Sequence, residues 1–185
     1  MTGAYTPNEA RDLLVEEVGR GSWTESVFLT PTLRVADLIA LCSKPGAITV
    51  RELGIPEWFL SDGCTKAPDW PQVWPACGVH DFGYWLGGPA DDATEFAFWR
   101  KLYDWALKVI ANHNAYYWYD GRETGWWSRT KRWWVARGYW AAVRAFGRRS
   151  FRKRPEGRLD PRWDDLEDFA IREGRWSSSG PWRAA

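Results

Sequence analysis

The residues best equipped for chemistry gather in one short run, Cys77-Gly78-Val79-His80-Asp81-Phe82-Gly83-Tyr84. His80 is one of two histidines in the chain, and a neutral imidazole can take a proton from water. Asp81 adjoins it, and neighbouring side chains leave a helix axis about 100° apart. One helix can therefore hold a base against one spot and offer a carboxylate to a cation at the next. Tyr84 lies four residues beyond His80, on the same helical face. Upstream, Ser61-Asp62-Gly63-Cys64 offers a carboxylate and backbone carbonyls, the oxygen ligands that calcium takes. A base, a hard cation and backbone N–H groups together meet the needs of ester hydrolysis. Water loses a proton, the carbonyl is polarised and the tetrahedral oxyanion is stabilised.

These residues have to be positioned by helices, because the chain lacks convincing strand alternation. Thr6-Pro7-Asn8-Glu9 and Thr30-Pro31 read as helix starts. The second leads through Leu33, Val35, Leu38, Ile39 and Leu41 to a stop at Lys44-Pro45-Gly46. Residues 55–72 read as loop, and a helix over about 73–86 carries His80 and Asp81. Gly87-Gly88-Pro89 breaks that helix, and Pro89 suits the first position of another that runs well past Val109. Beyond the turn at Asp120-Gly121, a helix from roughly Trp126 to Phe146 stops at Gly147. Residues 148–159 are basic and aperiodic, Asp160-Pro161 opens a short acidic helix, and Ser177-Ser178-Ser179-Gly180 reads as a flexible tail. The expected class is all-α, without internal repeats.

Asp62-Gly63-Cys64-Thr65-Lys66-Ala67-Pro68-Asp69 followed by Ala76-Cys77-Gly78-Val79-His80-Asp81-Phe82-Gly83-Tyr84 resembles the small phospholipases A2 of bacteria and fungi. Tyr139-Trp140-Ala141-Ala142-Val143-Arg144-Ala145-Phe146-Gly147 is similar to the closing helix of that family. The resemblance spans roughly 58–147 and implies a phospholipase A2-like core, with two antiparallel catalytic helices linked to a calcium loop. Residues 1–57 are then an N-terminal helical extension, and 148–185 a basic linker, short acidic helix and tail. The resemblance implies His80 as general base and Ca²⁺ held by Asp62, Asp81 and the Gly63 carbonyl. It also implies a Cys64–Cys77 disulfide, and Tyr84 in the hydrogen-bond network of the catalytic pair. The family orients its histidine with an aspartate on the next helix. The segment that aligns there, Glu95-Phe96-Ala97-Phe98, puts Glu95 at that place, with Asp91 one turn earlier as the reserve. The implied activity is calcium-dependent hydrolysis of a fatty-acyl ester of glycerophospholipids at a bilayer or micelle surface. The alternative is a non-catalytic membrane-binding or structural component, of virion or secretion-system type, built on the same scaffold.

Composition sets the frame around the site. The 185 residues suit one domain with appendages, and 45% are apolar, enough for a sizeable core. The net charge of +1 creates no global field toward nucleic acid, which is not an expected partner. Charge is nevertheless uneven. Arg144, Arg148, Arg149, Arg152, Lys153, Arg154 and Arg158 form either a solvated face or an attraction to anionic lipid, at roughly 1 kcal/mol per basic residue near such a surface, with nucleic acid a third and weaker option. Sixteen Trp are present, most expected in the core and a minority at the surface. Trp126-Trp127 and Trp133-Trp134, flanking Arg129, Lys131 and Arg132, suit a lipid headgroup layer. No apolar run of about 18 residues exists, so no spanning helix is expected. No secretory signal is visible at the start, whereas a disulfide suits an oxidising space; secretion or delivery by another route is the expected setting. Cys42 reads as a buried thiol and His113 as an exposed polar residue without a role.

Overall fold

The computed structural model describes residues 35–61, 63–64, 67–68, 70, 73–89, 93–118, 126–151, 153–154 and 171–172. The helix starts expected at Thr6 and Thr30, the acidic helix opening at Asp160 and the serine tail lie outside them. The fold is all-α. Among the described residues the helices are α1 Val35–Ser43, α2 Trp74–Leu86, α3 Ala93–Trp118 and α4 Trp126–Phe146, followed by a 3₁₀ turn at Gly147–Arg149. A two-residue parallel bridge pairs Gly88–Pro89 with Lys153–Arg154. None of these helices is long and apolar enough to cross a membrane.

α3 is the centre of the molecule, packed against α2 on one side and α4 on the other. From Leu102 to Ala115 every residue is buried, the mark of a helix with neighbours all round. α2 approaches it closely through a glycine. A Cβ on Gly83 would sit 2.1 Å from Cδ1 of Tyr103, so only the missing side chain lets the two helices touch there. α2 then ends at Gly87, whose φ of 74° and N–H bond to the Gly83 carbonyl close the helix. Val35, Leu38, Cys42, Ile48, Leu53 and Ile55 share one buried cluster with α2 and α3, and so does Phe151. Parts of residues 35–57, and Phe151 beyond α4, are thus built into the core.

The chain after α1 is fastened to α3 by polar side chains. Asn114 accepts from the Ile48 N–H at 2.7 Å and donates to the Ile48 carbonyl at 2.9 Å, satisfying both backbone groups as a strand partner would. His113 Nε2 donates to the Gly46 carbonyl at 2.8 Å, and the Tyr117 hydroxyl to the Lys44 carbonyl at 3.1 Å. The expectation of an exposed His113 is therefore corrected: it is fully buried. On a helix enclosed all round, a polar residue has to find its partner in the neighbouring backbone.

Burial pushes the His113 pKa below its ordinary value, and the Gly46 hydrogen bond only partly offsets this. The folded protein keeps His113 neutral while the unfolded chain protonates it. Its contribution is thus complete above the ordinary histidine pKa and is lost as pH falls below it. Thermal unfolding from pH 8 to 5 should show wild type losing stability on acidification more steeply than His113→Gln. Parallel curves would refute the assignment.

Of the nine Trp whose side chains are described, Trp85 and Trp105 are fully buried. Trp70, Trp133 and Trp134 are exposed. Trp58, Trp74, Trp99 and Trp140 line the edge of the core. Trp58, Phe59, Phe82 and Trp85 form one tilted aromatic cluster behind α2. Cys42 is buried and unpaired with another cysteine, its thiol pushed up to about 12 by burial.

Candidate active site

α2 presents His80 toward α3, where the ring is almost wholly enclosed. Its Nε2 lies 3.3 Å from Oδ1 of Asp104, a carboxylate with no solvent exposure. The Tyr84 hydroxyl donates to the same oxygen at 2.6 Å. Tyr84, one helical turn beyond His80, also lays its ring beside the imidazole with centroids 3.9 Å apart. With a carboxylate accepting at Nε2, the proton belongs on that nitrogen and the lone pair on Nδ1. Nδ1 points to the other side of the ring, 3.6 Å from Oδ1 of Asp81.

Among the described residues the carboxylate at His80 Nε2 is Asp104. Position 95 stands nine residues before Asp104 on α3, about 13.5 Å along the axis and half a turn round. Asp91 and the Glu95 side chain lie outside what the structure describes. A signal for Asp104 was present in the chain. It is the lone acid in the run Leu102-Tyr103-Asp104-Trp105-Ala106-Leu107, and a carboxylate on a helix apolar on every face has to be buried and paired.

Two arginines complete the cluster. Arg144, near the end of α4, donates from Nη1 to Oδ2 of Asp104 at 3.2 Å. Arg100 donates from Nε to the Tyr84 hydroxyl at 3.2 Å and from Nη2 to the Arg144 carbonyl at 2.9 Å. Burial opposes protonation of His80, but the hydrogen bonds that the protonated ring donates to Asp104 and Asp81, and the charges of both carboxylates, outweigh it, raising its pKa above the ordinary value. Burial, and then the charge of Asp104, holds the Tyr84 phenol far above its usual range. It stays a neutral donor.

The Cys64–Cys77 disulfide joins the 61–64 loop to α2, with Cα atoms 5.3 Å apart. The Ser61 hydroxyl donates to Oδ2 of Asp81, and the Gly63 N–H donates to Ser61 Oγ at 3.0 Å. Loop and helix therefore meet at Asp81, which keeps some solvent contact. The oxygens that meet there are the Asp81 carboxylate and the Ser61 hydroxyl, hard donors of the kind calcium takes. Asp62 falls outside the described residues. Among those described, no group of three or more His, Cys, Asp or Glu side chains is gathered to hold a metal. Pro68 accepts from the Tyr139 hydroxyl, and Trp70 packs against that ring at 6.2 Å, so α4 also holds the loop.

No protein-family model, curated protein or solved structure matches this chain.

Proposed function

We propose that this protein hydrolyses fatty-acyl esters of glycerophospholipids at a membrane surface, with calcium as its cofactor. The observation that carries this reading is His80, held at Nε2 by a buried carboxylate and directed with its other nitrogen toward Asp81. An imidazole fixed in that tautomer is a general base, and the adjoining oxygen donors suit a hard cation.

Neutral His80 takes a proton from water at Nδ1, and the oxygen of that water bonds to the ester carbonyl carbon. Asp104 stabilises the resulting imidazolium through Nε2, with Tyr84 on the same oxygen. As the tetrahedral centre collapses, the bond from carbon to the glycerol oxygen breaks. The imidazolium returns its proton to that oxygen, leaving a fatty acid and a lysophospholipid. Calcium, when bound by Asp81, Asp62 and the Gly63 carbonyl, supplies positive charge that polarises the ester and offsets the oxyanion. Because the base works only when neutral, turnover should climb as pH rises through the His80 pKa.

The exposed face of α4 suits the lipid surface. Trp133 and Trp134 are exposed there, the Arg137 guanidinium lies 4.8 Å from the Trp133 ring centre, and Phe146 is bare at the helix end. From Trp126 to Pro155 the chain carries ten Lys or Arg and no Asp or Glu, which favours an anionic bilayer.

Fatty-acid release from mixed phosphatidylcholine and phosphatidylglycerol vesicles tests the reading. Release is expected with calcium, none with a chelator, and about 10²- to 10⁴-fold less for His80→Ala. No release by wild type in calcium, from any of several lipids, would sink the proposal.

A further inference from the structure

A carboxylate that orients a histidine through one oxygen has to be held at the other, or it can turn. In this protein the second oxygen of Asp104 is held from a different helix, by Arg144 of α4 at 3.2 Å. Asp104 has no exposed surface, while the Arg144 side chain is 35% exposed and bridges the interior to the surface. Arg144 is fixed in turn, since Arg100 binds both its carbonyl and the Tyr84 hydroxyl. The chain then passes so close to Tyr84 that a Cβ on Gly147 would lie 2.9 Å from Cε2 of that ring. Four residues later the buried Phe151 packs on the same ring at 5.0 Å. Arg144, Gly147 and Phe151 thus bear on Asp104 and Tyr84, the two residues that contact His80 on the side away from Asp81. Arg148 and Arg149, by contrast, are exposed and fit a solvated or lipid-facing role.

We infer that residues 144–151 brace the candidate catalytic pair, and that Arg144 is a positioning residue that fixes the Asp104 carboxylate and, through it, the His80 ring. The inference rests on the hydrolase reading of the same site. Guanidinium suits the task because its donors sit in a rigid planar fork, whereas a lysine keeps the charge without the geometry.

The test compares full-length, disulfide-bonded wild type with Arg144→Ala, Arg144→Lys and, as a surface control, Arg51→Ala. On vesicles with saturating calcium, Arg144→Ala should lower kcat by about 10- to 100-fold with KM unchanged. Arg144→Lys should recover part of the loss, and Arg51→Ala should match wild type. A second readout does not need turnover. The chain has two histidines, so the His80 Nε2–H proton can be followed by ¹⁵N-edited NMR. Held by Asp104, it should be slow to exchange in wild type, broadened in Arg144→Ala and partly restored in Arg144→Lys. If wild type releases no fatty acid, the hydrolase reading falls and the NMR comparison alone decides on the brace. An unchanged His80 proton in folded Arg144→Ala would overturn the inference, as would an equal fall of kcat and rise of KM. Should Arg144→Ala fail to fold, Arg144→Lys decides by the same readouts, and identity with wild type in both would count against the brace.

Discussion

Asp104→Asn is expected to lower turnover on phospholipid vesicles by on the order of 10⁴-fold, as loss of a histidine's orienting carboxylate does elsewhere. The buried carboxylate only accepts, serving Tyr84 and His80 on one oxygen and Arg144 on the other. An amide replaces one of those acceptors by an NH₂ donor. Aimed at His80, it forces the ring proton onto Nδ1, the nitrogen that has to receive a proton from water. Aimed at Arg144, it sets donor against donor in a site without solvent. Either orientation loses something the site needs. Initial rates across the pH range, with near-UV circular dichroism to verify folding, check this. Wild-type rates in the folded variant would show that Asp104 does not orient the base. Glu95→Gln, altering a position half a turn round α3, should stay within a few-fold of wild type.

The elements that carry the site were legible from local signals. The loop break at Gly87 and the stop at Gly147 bound α2 and α4 within a residue of where the structure ends them, because glycine and proline act on the chain locally. Burial was harder to read. His113 looks like a surface residue between Asn112 and Asn114, yet all three are buried. Nothing local reveals that the backbone around Gly46 and Ile48 arrives to satisfy them. Arg144 stands at the head of a basic run and reads as solvated until α4 is folded back over Asp104. Asp104 carries no motif of its own, although its apolar surroundings argue for burial. Residue types near the bond-making atoms show in the chain, whereas partners supplied by another helix emerge only with packing.

Gly83→Ala should destabilise the protein strongly. The new Cβ would fall 2.1, 2.4 and 2.5 Å from three carbons of the Tyr103 ring. That ring is buried and hemmed by Trp99 at 5.9 Å and Phe151 at 6.2 Å, so it has no easy retreat. Overpacking of this severity costs about 3 kcal/mol or more, a fall in Tm of roughly 6–12 °C for a chain of this size. Activity should suffer too, because pushing α2 off α3 stretches the contact between His80 and Asp104. Gly138 provides the contrast. Nothing lies within 4 Å of a Cβ built there, so Gly138→Ala should stabilise α4 by about 0.5–1 kcal/mol. Thermal melts of the two variants, run together, separate close packing from helix propensity. A Gly83→Ala protein as stable as wild type would mean that the helices are not held at that spacing.

The enclosure of α3 also decides how the molecule can fluctuate. Asp104, His113 and Asn114 all sit on a stretch buried on every side. Such a segment opens only when the cooperative unit around it opens, at a free energy close to that of global unfolding. The hydrogen bond between Asp104 and His80 therefore belongs to the slowest-opening part of the domain, not to a loop that frays. Its geometry is set once, at folding, and in the proposed reaction every turnover would inherit it.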